Sequence, residues 1–361
     1  MSYARRLLRA LDLPRGLPRL LQHDRYWRVD IVEALCDLCD DLREVGDPAD
    51  EEYSAEVAYD LTFRLRDTPA ALRVRVLSTL GTARRRLGHY GQAERCYRTA
   101  WALTDRGDVP LRLIGDLAER HAVLLREQGR LQSALETIRY ATLIWESQGC
   151  TSAPAQVIEG VILVYLGDPR GARERFVDVL RRADPLAEER SYYAALENYA
   201  YLLGTYGSPE DLIESRRLTG EVRRAIRGIR RTPVRYRLDW IDAVLHRRLG
   251  QIDRARRDLH RARRGFVRLA MSAEVATLTI ELAAVEIALD NPEAVAPLLD
   301  ETLQWLQAID LDSPMATAYF LALEHQDPET MVGELERRFA ATTDPGRMAP
   351  VPLSTTGDPS D

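Results

Sequence analysis

A glycine set between two helical patterns recurs along this chain at nearly even intervals, and that recurrence restricts its folds more than any other feature. The clearest unit covers residues 74–107, VRVLSTLGTARRRLGHYGQAERCYRTAWALTDRG. Leu77, Leu80, Ala83 and Leu87 return at three- and four-residue spacing before Gly88; Ala93, Cys96, Tyr97, Ala100 and Leu103 do so after it. Each pattern has the period of a helix with one apolar face. Gly88 ends the first helix, because a helix C-cap often takes left-handed backbone that glycine adopts without strain. Gly81, Ala93 and Ala100 are small where paired helices must touch.

The pattern returns with Gly129, Ala134, Ile138 and Ala141, and again with Gly167, Ala172, Phe176 and Val179. A fourth copy has Gly207, Leu212, Arg216 and Thr219; a fifth has Gly250, Ala255, Leu259 and Ala262. The sixth replaces the turn glycine by Asp290-Asn291 and continues through Val295, Leu299 and Thr302. There Asn291 is expected to tolerate the left-handed region. The turn glycines lie 41, 38, 40 and 43 residues apart.

With Leu77, Leu80, Gly81, Gly88, Tyr90, Ala93, Tyr97 and Ala100 at its signature positions, the first unit resembles a tetratricopeptide repeat. That repeat is about 34 residues long. The excess is assigned to longer helices and inter-repeat loops, such as 108–113 and 228–233. Armadillo-type repeats have the length, roughly 40–47 residues, without the glycine-turn-alanine signature. The resemblance covers about residues 25–341 and implies an all-α, right-handed α-solenoid of about seven helix pairs. Its first pair, at 27–45 and 49–66, is divergent, and two capping helices are expected at 314–341. Residues 1–24 read as a basic amphipathic capping helix, broken by Pro14 and Pro18, and a linker. Residues 342–361, rich in Pro, Gly, Ser and Thr, are expected to be disordered. The layout also resembles the repeat region that follows a helix-turn-helix domain in some bacterial regulators, in the phrases at 249–259 and 305–311. Residues 1–24 are too few for such a domain, so direct promoter binding is not expected.

All 50 basic residues are arginine, against 56 acidic ones, for a net charge of −6. Without lysine there is no Schiff-base, P-loop or kinase-type lysine. Cys36 and Cys39 form a CxxC inside a helical run, with no second pair and no histidine nearby. A structural zinc takes about four ligands, so these read as buried thiols. Cys96 and Cys150 add no disulfide framework, which suits a reducing cytoplasm. The N-terminal stretch is too charged for a signal peptide. No apolar run reaches the roughly 18 residues of a membrane span. The six histidines form no HExxH or HxH, and GxSxG and GxGxxG are absent. The chain is therefore expected to be no enzyme and to hold no cofactor or metal.

The resemblance implies that first helices line a concave groove. It places Arg85, Arg86, Glu119, Arg126, Val161, Tyr165, Glu197, Asn198, Tyr201, Arg237, Trp240, Val244 and Arg247 there. Arg237, Trp240, Val244 and Arg247 share one helical face by spacing, and aromatic-plus-arginine surfaces favour binding hot spots. The candidate partner site is Tyr165, Glu197, Asn198, Tyr201, Arg237, Trp240, Val244 and Arg247. Asn198 and Arg237 fall at two positions of the five-residue carboxylate clamp of chaperone-docking relatives; the other three are unmatched, so that activity is not implied. Between Arg216 and Arg268 there are 18 arginines and five acids, a net +13 that leaves −19 for the rest. Three uses of this excess are open: an acidic protein or peptide segment, internal ion pairing, and nucleic acid. The expected function is a non-catalytic protein- or peptide-binding scaffold, a bacterial regulatory or assembly adaptor. The alternative is a nucleic-acid-associated regulatory factor acting through residues 216–268.

Overall fold

In a computed structural model the described residues are 17–298, apart from 46–47, 106–107, 228–232, 270 and 296. Residues 1–16 of the expected N-terminal helix and linker, the capping helices at 314–341 and the tail at 342–361 lie outside them. Every described element is a helix. In order they are α1 Pro18–Gln22, a 3-10 turn Asp24–Tyr26, α2 Val29–Val45, α3 Pro48–Thr62, α4 Ala70–Arg86, α5 Tyr90–Thr104, α6 Leu111–Glu127 and α7 Leu131–Ser147. There follow α8 Ala153–Tyr165, α9 Pro169–Arg182, α10 Glu189–Tyr206, α11 Pro209–Ala225, α12 Pro233–Arg248, α13 Ile252–Arg268, α14 Ser272–Ala288 and a 3-10 turn Pro292–Ala294. From α2 to α13 they pack as six successive antiparallel pairs. Pro18 opens α1 instead of breaking a helix, because the first helical position needs no N–H.

The pair turns follow local backbone physics. Gly88, Gly129, Gly167 and Gly250 have φ of 81°, 72°, 76° and 69°. At the first, the His89 N–H reaches back to the Arg84 carbonyl at 2.9 Å and the Gly88 N–H to that of Arg85 at 3.0 Å. This double bond pattern satisfies carbonyls that a helix end leaves open. In the sixth turn Asp290, at φ 56°, takes the glycine's place, and Asn291 donates to the Glu286 carbonyl at 2.9 Å. The left-handed residue is thus the aspartate, not the asparagine expected.

The fourth turn departs from the others. Gly207 is extended, with φ −76° and ψ 165°. Glycine is needed there for space: a Cβ would stand 2.4 Å from both the Leu203 carbonyl oxygen and the Asp211 Cβ. Ser208 then starts α11 with a capping box, its Oγ accepting from the Asp211 N–H while Asp211 Oδ2 accepts from the Ser208 N–H. After this turn the inward register stands three residues later than after the left-handed turns. Ser215, Thr219 and Val222 are buried, whereas Leu212 is half-buried and Arg216 exposed. That corrects the register read for the fourth copy.

Pair contacts depend on small residues on both helices. Ala93, Ala134, Ala172 and Ala255 are all buried, as expected. Gly81, expected to be small where the helices touch, belongs to a second small site that recurs along the chain. Seven residues ahead of each turn stand Gly81, Ala122, Gly160, Ala200, Ala243 and Ala283. A Cβ on Gly160 would come within 2.6 Å of the Phe176 ring, and one on Gly81 within 3.1 Å of Tyr97. Aromatic rings on the second helix fill the space these glycines leave.

Overlapping apolar clusters continue the core from Leu17 to Val295. The cluster around Leu77, Leu80 and Tyr97 also takes in Ala283 and Val295, so the late helices return towards the early ones. Cys36 and Cys39 are fully buried, and burial pushes the Cys36 thiol up to about 11, away from a reactive thiolate.

The central groove as candidate binding site

First helices face inward, and their inner faces meet over an open cavity of about 910 Å³. Its wall runs from the α4–α5 turn (Arg85, Arg86, Gly88, Tyr90) across α6 (Val123, Arg126, Glu127) to the starts of α12 and α14 (Val234, Arg237, Glu274). The α9–α10 connection, with Leu186 almost fully exposed, forms part of its mouth. Early and late helices among the described residues therefore share one space.

Charges in that space are matched. Arg237 Nε lies 3.5 Å from Glu197 Oε1, and its Nη2 lies 3.9 Å from Glu274 Oε1. Arg85 donates to Glu127, which also holds Arg126 at 3.0 Å. Arg43 and Arg86 both bind the buried Glu51. The charges of Arg85 and Glu127 act in turn on Arg237 and Glu274, which joins α4 and α6 electrostatically to α12 and α14. Burial pushes the carboxyls of Glu197 and Glu274 up, and neighbouring Arg237 opposes it in both.

Further along the same inner faces lies an aromatic region. Tyr201 and Trp240 meet edge-to-face at 5.7 Å. Trp240 Nε1 donates to Glu281 Oε1 at 2.9 Å, and Arg247 acts on the same carboxylate. Tyr165 is 54% exposed beneath the Arg126 guanidinium, 5.7 Å from the ring centre. Burial holds the Tyr201 phenol well above its ordinary range.

The eight candidate residues are thus placed unequally. Tyr165 is open, and Tyr201, Arg237, Trp240 and Arg247 are half-buried along the groove. Asn198 is half-buried and donates to the Ala194 carbonyl at 2.8 Å, on its own helix. Glu197 is buried against Arg237. Val244 is 2% exposed and packs beside Gly204, so it contributes to the core. Of the other groove positions, Glu119 is buried and faces Trp145 and Ser152 instead.

Sequence reading missed Tyr90, Glu127, Glu274 and Glu281. The last two lie on the next first helix, 37 residues after Arg237 and 41 after Trp240, so no fixed repeat offset points to both. The basic excess of 216–268 lies mostly away from the groove. Its exposed arginines sit mainly on the second helices α11 and α13, on the outside. Among the described residues no group of three His, Cys, Asp or Glu side chains could hold a metal, and no helix is long and apolar enough to cross a membrane.

The peptide-bound structure of NprR, "in complex with its cognate peptide NprX", aligns with 85% of this chain and 88% of its own at a TM-score of 0.59 and 11% identity. The chain has a tetratricopeptide-type fold. A tetratricopeptide repeat protein from Parabacteroides merdae ATCC 43184 aligns over 84% of this chain and 98% of its own, at a TM-score of 0.46 and 18% identity. The TPR2AB domain of yeast Sti1, in its pHSP90 complex, aligns over 73% of this chain and 98% of its own, at 0.26 and 16%. No protein-family model and no curated protein matches the sequence.

Proposed function

We propose that this tetratricopeptide-type solenoid is a non-catalytic scaffold that binds a protein or peptide segment along α8, α10 and α12, as a bacterial regulatory or assembly adaptor. The observation that carries this reading is the inner-face run of Tyr165, Tyr201, Trp240 and Arg247, aromatic area beside a guanidinium in a preformed groove. Aromatic side chains offer contact area with little rotamer entropy to lose, and a preformed groove lowers the ordering cost of binding. The peptide held by NprR supports the same use of this fold. Carboxylates on the segment would compete with Glu127 for Arg126 and with Glu281 for Arg247, both of which can bond a carboxylate in bidentate fashion. At Arg237 they must displace Glu197 and Glu274, so that arginine adds selectivity for geometry more than net affinity.

The test is a titration of purified partner, recovered with the parent chain, against Trp240→Ala/Arg247→Ala. As hot spots the pair should cost about 2 kcal/mol or more. Circular dichroism must first show the variant folded, since Trp240 also bonds to Glu281. A folded variant that holds the partner as tightly as the parent would place the site elsewhere.

A further inference from the structure

The outer face of α13 carries a stripe of arginines that the groove does not use. Arg254, Arg257, Arg261, Arg264 and Arg268 alternate at three- and four-residue spacing, and all five are exposed. At 1.5 Å per residue they form a line about 21 Å long. Ala255, Leu259, Ala262 and Phe266 occupy the opposite, buried face. Only Arg261 of the five meets an acid among the described residues, at 3.2 Å from Asp258 and 3.4 Å from Asp239. Arg254 donates to Gln251. Arg257, Arg264 and Arg268 make no ion pair with any described residue. Like charges at this spacing oppose helix formation, so the stripe works against the element that carries it.

We infer that this outer face binds the phosphate backbone of a nucleic acid without reading its sequence. Two observations favour that occupant over an acidic protein. Protein interfaces centre on an apolar or aromatic anchor, and α13 exposes no large apolar side chain between Ile252 and Arg268. Phosphate contacts need only charge and donor geometry, which the guanidinium fork supplies. The acidic remainder of the chain does not forbid binding, because charges beyond the Debye length of about 10 Å at 0.1 M salt are largely screened.

Fluorescence anisotropy with a short duplex DNA and a single-stranded RNA, each of mixed sequence, tests this on the full chain. Three proteins are compared: the parent, Arg257→Gln/Arg264→Gln/Arg268→Gln, and a charge-matched control, Arg73→Gln/Arg95→Gln/Arg98→Gln, at exposed positions of α4 and α5. Glutamine keeps helix propensity close to that of arginine. The parent should bind at about 50 mM salt and weaken as salt rises; the stripe variant should lose about 2–3 units of the slope of log affinity against log salt, at roughly 0.9 per duplex phosphate and 0.7 per single-strand phosphate. The control should keep the parent slope, and the tighter arm identifies the nucleic acid. No binding of either probe at low salt would overturn the inference, as would equal loss in both variants. Poly-glutamate of matched charge binding as tightly as nucleic acid would overturn it in favour of an acidic protein segment.

Discussion

Two glycines inside helices make opposite predictions, and the difference lies in what faces each Cα. Gly160 abuts Phe176, where an added methyl group has no room; Gly220, inside α11, faces nothing within 4 Å. Replacing a helical glycine by alanine gains about 0.5–1 kcal/mol of backbone entropy. At Gly160 overpacking of about 1–3 kcal/mol outweighs that gain. Thermal unfolding should therefore show Gly160→Ala destabilised and Gly220→Ala stabilised; the same sign for both would break the packing argument. Glu119 gives a prediction in pH. Its Oε1 accepts from Trp145 Nε1 at 2.7 Å and Ser152 Oγ at 2.6 Å, yet burial, helped by Asp116, raises its carboxyl to about 7. In the unfolded chain glutamic acid titrates near about 4.3. Between those values the native state keeps a proton that the unfolded chain has lost, so this group's contribution falls as pH rises and levels above pH 7, a loss of about 4 kcal/mol at most. Glu119→Gln keeps an acceptor for both donors and removes the titration. Denaturant unfolding of parent and variant from pH 4.5 to 8 should show the variant gaining on the parent as pH rises; a constant difference would mean that Glu119 ionises as it does in water.

At the scale of elements, the repeats divide by how they turn. Five use left-handed backbone, at Gly88, Gly129, Gly167, Gly250 and Asp290; the turn at Gly207 uses a capping box. Since α11 lacks the tight glycine turn, its start rests on Ser208 and Asp211. Ser208→Ala should cost about 1 kcal/mol, with faster amide exchange in the first turn of α11. Unchanged exchange there would show that packing of Ser215 on the Ala200 carbonyl, at 2.6 Å, already fixes the helix. The motif Ser-Pro-Glu-Asp at 208–211 is legible in sequence as a helix start. What it hid was the three-residue change of register, because the spacing from Gly207 resembles that of the other copies.

The whole molecule departs from a simple row of repeats. In a solenoid each repeat touches its neighbours alone, and a change in one end leaves the other unaffected. Here Glu274 of α14 attracts Arg85, beside the α4–α5 turn, as well as Arg237, and all three line one cavity. Glu274→Gln should therefore loosen the α4–α5 turn at a distance. Amide exchange at residues 85–90 should rise about five-fold, the equivalent of about 1 kcal/mol. Exchange confined to α12 and α14 would show that the ends are energetically independent.

Helix pairs, most turn positions and the alanines at pair crossings could be read from the chain, because period, left-handed backbone and close approach are local matters. The partners of the charged groups could not. Arg85 meets Glu127 42 residues away, Trp240 meets Glu281 at a separation of 41, and Arg237 meets Glu197 across one repeat. Each of these contacts joins one repeat to the next, so it depends on how successive pairs are rotated in space. A helical period shows which residues share a face, but not what that face meets. For that reason sequence located the arginine excess at 216–268, while tertiary structure put the groove arginines beside carboxylates and left the exposed ones outside, on α11 and α13.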